Sequence, residues 1–223
     1  LDSDQFTPMD LYDSLGGIGG ASTFGGSISV KDCWFGGKII VNSIQALAGG
    51  IIGAAISAEI QNCMVTTTDI ASDDGSNTCW VAYTMDGTVE NNYWPLDTGK
   101  KYDPSPLEEI TEGAVKTEDQ GSAVSDFISE DVLTGLKTNA ETGITWVAGI
   151  KHPTFAWDDN NIPANYDAVN EAIKAARELD KTQYSNYNAV EDAINAVDWE
   201  KSKAEQSEVD AMAKDIEDAI AAL

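Results

Sequence analysis

Val30-Lys31-Asp32-Cys33-Trp34-Phe35, Ile60-Gln61-Asn62-Cys63-Met64-Val65 and Val89-Glu90-Asn91-Asn92-Tyr93-Trp94 can be laid over one another, at offsets of 30 and 29 residues. Ahead of the second and third segments lie Ile51-Ile52-Gly53 and Trp80-Val81-Ala82, again 29 apart. Ahead of the first lies Gly16-Gly17-Ile18-Gly19-Gly20, with about three extra residues before its strand. A fixed period in this range marks a solenoid or array. Within each unit the runs are short and β-branched, and Gly, Ser, Asn and Asp separate them, which is strand-and-turn chemistry. No helix-forming stretch fits between the repeats, so leucine-rich and helical repeats are set aside. The expectation is one coil of a β-helix-like solenoid per unit, stacked at the β-sheet spacing of roughly 4.8 Å.

The overlay also assigns faces. Val30, Ile60 and Val89 are apolar and are expected inside; Lys31, Gln61 and Glu90 are expected outside. Asp32, Asn62 and Asn91 fall at a bend, because Asx side chains bond local backbone and tolerate the left-handed region. Cys33, Cys63 and Asn92 then stack beyond the bend, facing inward. That leaves Trp34, Met64 and Tyr93 as an outward column, the candidate binding stripe, since exposed aromatic rings stack on sugars or dock partners. The competing reading is that the faces are reversed, or that residues 96–128 cover the stripe. Cys33 and Cys63 are expected as stacked free thiols, with a bridge between them as the alternative, and Cys79 on another side.

These residues carry a resemblance. Gly-Gly-Ile-x-Gly followed by x-Ile/Val-x-Asn-Cys resembles the GLUG-type repeats of bacterial surface proteins, over about residues 15–95. The resemblance implies a right-handed parallel β-helix-like fold. Ser129 to Asp158, with Trp146-Val147-Ala148-Gly149 and Pro153-Thr154-Phe155-Ala156-Trp157, resembles the closing segment that follows such repeats. Residues 96–128 match nothing and read as a long acidic loop or irregular cap.

From Tyr166 the apolar spacing becomes helical. Val169, Ile173, Ala176 and Leu179 form one stripe; Tyr187, Val190, Ile194 and Val197 a second; Val209, Met212, Ile216, Ile220 and Leu223 a third. Ser207-Glu208-Val209-Asp210 has capping-box spacing. Short connections favour antiparallel neighbours, so a three-helix bundle is expected. Asn165-Tyr166-Asp167-Ala168-Val169, Ala175-Ala176-Arg177-Glu178-Leu179-Asp180, Ala193-Ile194-Asn195-Ala196-Val197 and Ile216-Glu217-Asp218-Ala219-Ile220-Ala221-Ala222-Leu223 resemble the FIVAR domain. That resemblance implies a helical module of secreted or wall-attached proteins of Gram-positive bacteria, without catalytic residues. The composition changes at the polar run Trp157 to Ala164, so the expected domains are 1–160 and 161–223.

The whole chain of 223 residues carries 38 acidic and 13 basic side chains, for a net charge of −25. Residues 1–160 hold 24 acids and 7 bases and residues 161–223 hold 14 and 6, so both parts are acidic. Nucleic acid is excluded as a partner, because phosphate binding needs clustered Lys and Arg and Arg177 is the one arginine. No apolar run approaches the roughly 20 residues of a membrane span. The chain begins at Leu1 rather than Met, as expected of a processed or excised chain. His152 stands without a nucleophile pattern and reads as a surface or packed residue. Among so many acids no carboxylate pair stands out for glycosidase chemistry. Asp73-Asp74 and Asp158-Asp159-Asn160-Asn161 fit turns better than Ca²⁺ loops.

The expected protein is therefore a short right-handed β-solenoid followed by an antiparallel three-helix bundle. It is read as a non-catalytic module of a secreted or cell-wall-attached bacterial surface protein, with an adhesion, carbohydrate-binding or spacer role. No catalytic residues, metal ligands or cofactor are expected. The partner is a glycan or a host surface glycoprotein, with no nucleic acid and no membrane insertion within the chain. The alternative is an accessory region of a polysaccharide-degrading enzyme or surface protease whose catalytic domain lies elsewhere.

Overall fold

The computed structural model describes residues 14–41, 47–72, 78–96 and 120–223. The chain divides into two compact units, Leu1–Trp146 and Val147–Leu223.

The first unit is built of parallel ladders whose rungs lie one repeat apart. β1 (Ser14–Gly16), β5 (Leu47–Gly49) and β9 (Thr78–Cys79) form one ladder. The long strands β2 (Gly19–Lys31), β6 (Ile52–Gln61) and β10 (Ala82–Glu90) form the second. The third joins β3 (Trp34–Phe35), β7 (Met64–Val65), β11 (Asn92–Pro95) and β12 (Gly121–Val124). β4 (Ile39–Val41) and β8 (Ile70–Ser72) form the fourth.

The registers follow the sequence overlay: Val30 pairs with Ile60, and Val89 with Ile60. Where β2 meets β6, Ser22 lies opposite Ala55 and Ser27 opposite Ser57, so β2 spends five residues where β6 spends two. These are the three extra residues of the first unit. Where β10 meets β6, Ala82 lies opposite Ile52 but Tyr83 opposite Ala54, which changes the offset from 30 to 29. Burial follows the assigned faces: Val30, Ile60, Val89, Cys63 and Asn92 are buried. On the outer face Lys31 pairs with Glu59 at 2.7 Å and Gln61 donates to Glu90 at 2.8 Å. Gly49 shows how closely successive turns approach, since a Cβ there would fall 1.9 Å from the Ile52 carbonyl oxygen and 2.8 Å from that of Val81. Burial of each Val or Ile in this core contributes about 1.5–3 kcal/mol.

The expected fold is corrected on two points. The described residues hold four α-helices, not three, because α1 (Glu130–Asn139) lies in the strand-rich unit. And the strands lie in separate sheets that are not seen closing into a solenoid among the described residues. Repeat register fixes which strands pair; it does not fix the path that the chain takes between ladders. α1 escaped the sequence reading because its buried anchors are only Val132 and Leu136, four residues apart in a polar surround.

A fourth rung was also missed. β12 pairs in parallel with β11, Asn92 opposite Gly121, which is again an offset of 29 residues. Gln120, at its start, is fully buried, and its side-chain amide donates to the Ala82 carbonyl at 3.0 Å while its oxygen accepts from the Ala82 N–H at 3.3 Å.

The second unit contains α2 (Asp167–Arg177), α3 (Asn188–Asn195) and α4 (Gln206–Ala221). α4 packs on both α2 and α3. Val169, Ile173, Val209, Ala213 and Ile216 fill the core, joined by Val197 after α3. The start of α4 is fixed one turn earlier than expected: the Glu205 carboxylate accepts from the Ser202 N–H at 3.0 Å and from its hydroxyl at 2.9 Å. The stretch before α2 belongs to this unit. Ile150 N–H donates to the Asn161 carbonyl at 2.8 Å, and Lys203 N–H to the Ile162 carbonyl at 2.7 Å. Within it, the Asp158 carboxylate accepts from Thr154 and from Asn161, each at 2.6 Å, which makes a closed turn. Those two bonds, Thr154 first, hold its carboxyl below the usual range. His152 is packed, with Nδ1 2.8 Å from the Pro153 carbonyl oxygen.

Candidate functional site

Trp34, Met64 and Tyr93 do share one register column: Trp34 pairs with Met64, Met64 with Tyr93, and Tyr93 with Ser122 beyond. They do not form an open stripe. Met64 is 0% exposed, while Trp34 and Tyr93 are half-buried. The Trp34 indole donates to Thr66 Oγ1 at 2.7 Å. The Tyr93 hydroxyl donates to Asn91 Oδ1 at 3.0 Å and lies against α1. A Cβ built on Gly135 would fall 1.9 Å from that hydroxyl, so the helix approaches this closely only because residue 135 is glycine.

The bend residues hold the covering helix in place. Asp32, Asn62 and Asn91 have φ of 50°, 59° and 53°, the left-handed values that the Asx pattern called for. The Asn62 amide donates to Asp32 and, at 3.0 Å, to the Leu136 carbonyl. The Asn91 amide donates to Asn62 Oδ1 at 2.7 Å. A carbonyl in the last turn of a helix has no partner within the helix, and here Asn62 supplies one. Asp32 is 7% exposed and also accepts from the Trp146 indole and from the Glu141 N–H, each at 2.9 Å. The Asx ladder is thus an anchor for residues 130–146.

Where α1 leaves the sheet, a cleft of about 400 Å³ is bordered by Tyr93, Ser122, Asp126, Ser129, Asp131 and Val132. Burial, and secondly the Asp131 carboxylate, push the Tyr93 phenol above its ordinary value. Hydroxyls and carboxylates line this cleft, with no cationic or thiol side chain among its bordering residues.

The thiols are reduced. Cys33 and Cys63 sit on neighbouring turns, and the Met64 N–H donates to the Cys33 carbonyl at 2.8 Å. Each Sγ points the same way, donating at 3.3 Å to the carbonyl two residues before it, Lys31 for Cys33 and Gln61 for Cys63. Cys79 lies in another ladder, and its burial pushes its thiol far up.

The aromatic surface that sequence reading missed lies in the second unit. Trp157 is 62% exposed and stacks in parallel on Phe155, with centroids 4.7 Å apart and planes 2° apart. Trp199 is 52% exposed and rests on Tyr166 at 5.0 Å. The Tyr166 hydroxyl donates to the Asp198 carbonyl and accepts from the Lys201 N–H, each at 2.9 Å, which fixes the ring beneath Trp199. The available signal was a bulky aromatic set among acids, Trp157-Asp158-Asp159 and Asp198-Trp199-Glu200, where no apolar stripe needed it. A shallow cleft of about 640 Å³ in the same unit is bordered by Pro163, Asn165, Asp167, Lys203, Gln206 and Asp210.

Among the described residues no group of three or more His, Cys, Asp or Glu side chains is arranged to hold a metal ion. Among them, too, no helix is long and apolar enough to cross a membrane. Comparison with protein-family models, curated proteins and solved structures finds no match.

Proposed function

We propose that this chain is a non-catalytic module of a secreted or cell-wall-attached bacterial surface protein, and that it binds carbohydrate in adhesion. The observation that carries the reading is the pair of exposed tryptophans, Trp157 and Trp199, each backed by a second ring. Water disfavours an exposed indole, and a ring fixed from behind presents its free face at little entropic cost. Sugar C–H faces stack on such rings. Neighbouring carboxylates and amides supply hydrogen bonds to hydroxyls. The net charge of −25 points to neutral or amino sugars rather than polyanions. The resemblances to GLUG-type repeats and to the FIVAR domain add the bacterial surface setting, and the FIVAR resemblance implies no catalytic residues.

The test is a glycan array with the purified chain, followed by calorimetry on the sugars retained. Binding that weakens at least about tenfold in Trp157→Ala or Trp199→Ala, with the fold intact by circular dichroism, supports the proposal. Sugar binding untouched by both changes, or absence of binding to every glycan, overturns it. Hydrolysis of any bound glycan overturns the non-catalytic part.

A further inference from the structure

We propose that Cys33 and Cys63 form a two-cysteine thiol–disulfide exchange site in the first unit, in which Cys33 attacks and Cys63 resolves. Three observations place it. The two residues occupy equivalent positions on adjacent turns, directly before the paired Trp34 and Met64. Their Cα atoms are therefore roughly 4.8 Å apart, inside the usual disulfide range of about 4.4–6.8 Å. Both side chains leave the backbone in the same direction, each Sγ donating to the carbonyl two residues before it. Cys33 directly precedes β3, the end strand of its ladder among the described residues, and is half-buried, whereas Cys63, before β7 one strand in, is buried. The pair thus has one member that is partly exposed and one that is enclosed.

The acidity of the pair has the matching polarity. The neighbouring Cys63 thiol draws the Cys33 thiol down to about 7, against the opposing effects of burial and of the Asp32 carboxylate. The same pairing, with burial, drives Cys63 well above the ordinary range. A thiol near neutrality attacks fastest at physiological pH. Cys79, enclosed by apolar neighbours, has no such help and serves as an internal control.

The chemistry balances with a small disulfide as oxidant. The Cys33 thiolate attacks one sulfur of the oxidant, the oxidant's S–S bond breaks, and one thiolate leaves and takes up a proton. Cys63 then gives its proton to solvent, and its sulfur attacks Cys33 Sγ and expels the second thiol. Two protein thiols are oxidised and one disulfide is reduced to two thiols. Parallel neighbours in a ladder project alongside each other, while a bridge needs their Cβ atoms within roughly 3.5–4.5 Å. Oxidation removes both thiol hydrogens, and with them the bonds to the Lys31 and Gln61 carbonyls. It is an exchange site, not a structural staple.

The experiment uses the full chain, fully reduced and then freed of reductant. It is incubated folded with oxidised glutathione near pH 8, quenched in acid and mapped by mass spectrometry without reduction. The expected product is about 2 Da lighter, bridged Cys33 to Cys63 with Cys79 still a thiol, and millimolar reduced glutathione reverses it. Cys63→Ser is expected to stop at a glutathione adduct on Cys33, and Cys33→Ser to resist reaction. Three unchanged thiols, a lasting adduct on Cys33 in the unaltered chain, or a bridge to Cys79 would each overturn the proposal.

Discussion

The indole N–H of Trp146 donates to Oδ1 of Asp32 at 2.9 Å, joining residues 114 apart in the chain. That bond closes the last segment of the first unit onto its first bend. Asp32 is buried, so each donor that faces it replaces water that it has lost.

Trp146→Phe keeps an aromatic ring but removes this donor. A hydrogen bond to a charged group contributes about 1.5–3 kcal/mol, and the change is expected to destabilise the first unit by that amount. Urea unfolding with an unchanged m-value measures it. A cost below about 0.5 kcal/mol would show that the Asn62 and Glu141 donors suffice for Asp32.

α1 is expected to act as the cover of the Trp34–Met64–Tyr93 column. Leu136 is fully buried, and Leu136→Ala should cost about 2–5 kcal/mol. The same change is expected to expose Met64, so peroxide should oxidise Met64 faster than in the unaltered chain. Peptide mapping reads the rate. Unchanged protection of Met64 in a destabilised variant would mean that other residues form the cover.

Acid should weaken the start of α4. The backbone N–H of Ser202, then the Lys201 ammonium, hold the Glu205 carboxyl at about 2, below its ordinary 4.5. A folded-state value below the unfolded one gives stability that is fully present above 4.5 and is lost as pH falls towards 2. Lys201 shifts upward through Glu208 and Glu205, so the same pairing goes on the acid side with the Glu205 charge and on the alkaline side only in strong alkali. Glu205 and Lys201 face solvent, so the effect is modest and salt weakens it. Thermal melts from pH 5 to pH 2 are expected to show a smaller drop for Glu205→Gln than for the unaltered chain. Parallel curves would remove Glu205 from the acid response.

The strand registers were legible because the repeat carries its own alignment. An apolar residue, a polar residue and an Asx at fixed offsets left one pairing that buries Val30, Ile60 and Val89 together. The three positive-φ bends were legible for the same reason, since Asx is the residue type that tolerates them. β12 was not, because Gly121-Ser122-Ala123-Val124 lacks the Asx-Cys signature and lies inside residues 96–128, which match nothing. The direction of the candidate column was not legible either. Alternation along a strand tells which side chains share a face, and it does not tell whether a distant helix lies over that face. Trp157 and Trp199 went unread as a surface because only the fold shows that Phe155 stacks on the first and Tyr166, 33 residues away, supports the second.

Gln120 carries a consequence for how the ladder ends. A strand edge with free N–H and C=O groups is a template, and a second chain of matching period could continue the ladder. A glutamine side chain ends in the same donor and acceptor as a peptide unit, and Gln120 uses both on Ala82. One side chain thereby imitates the next strand at this rung, and its loss would leave the Ala82 N–H and carbonyl in need of another partner.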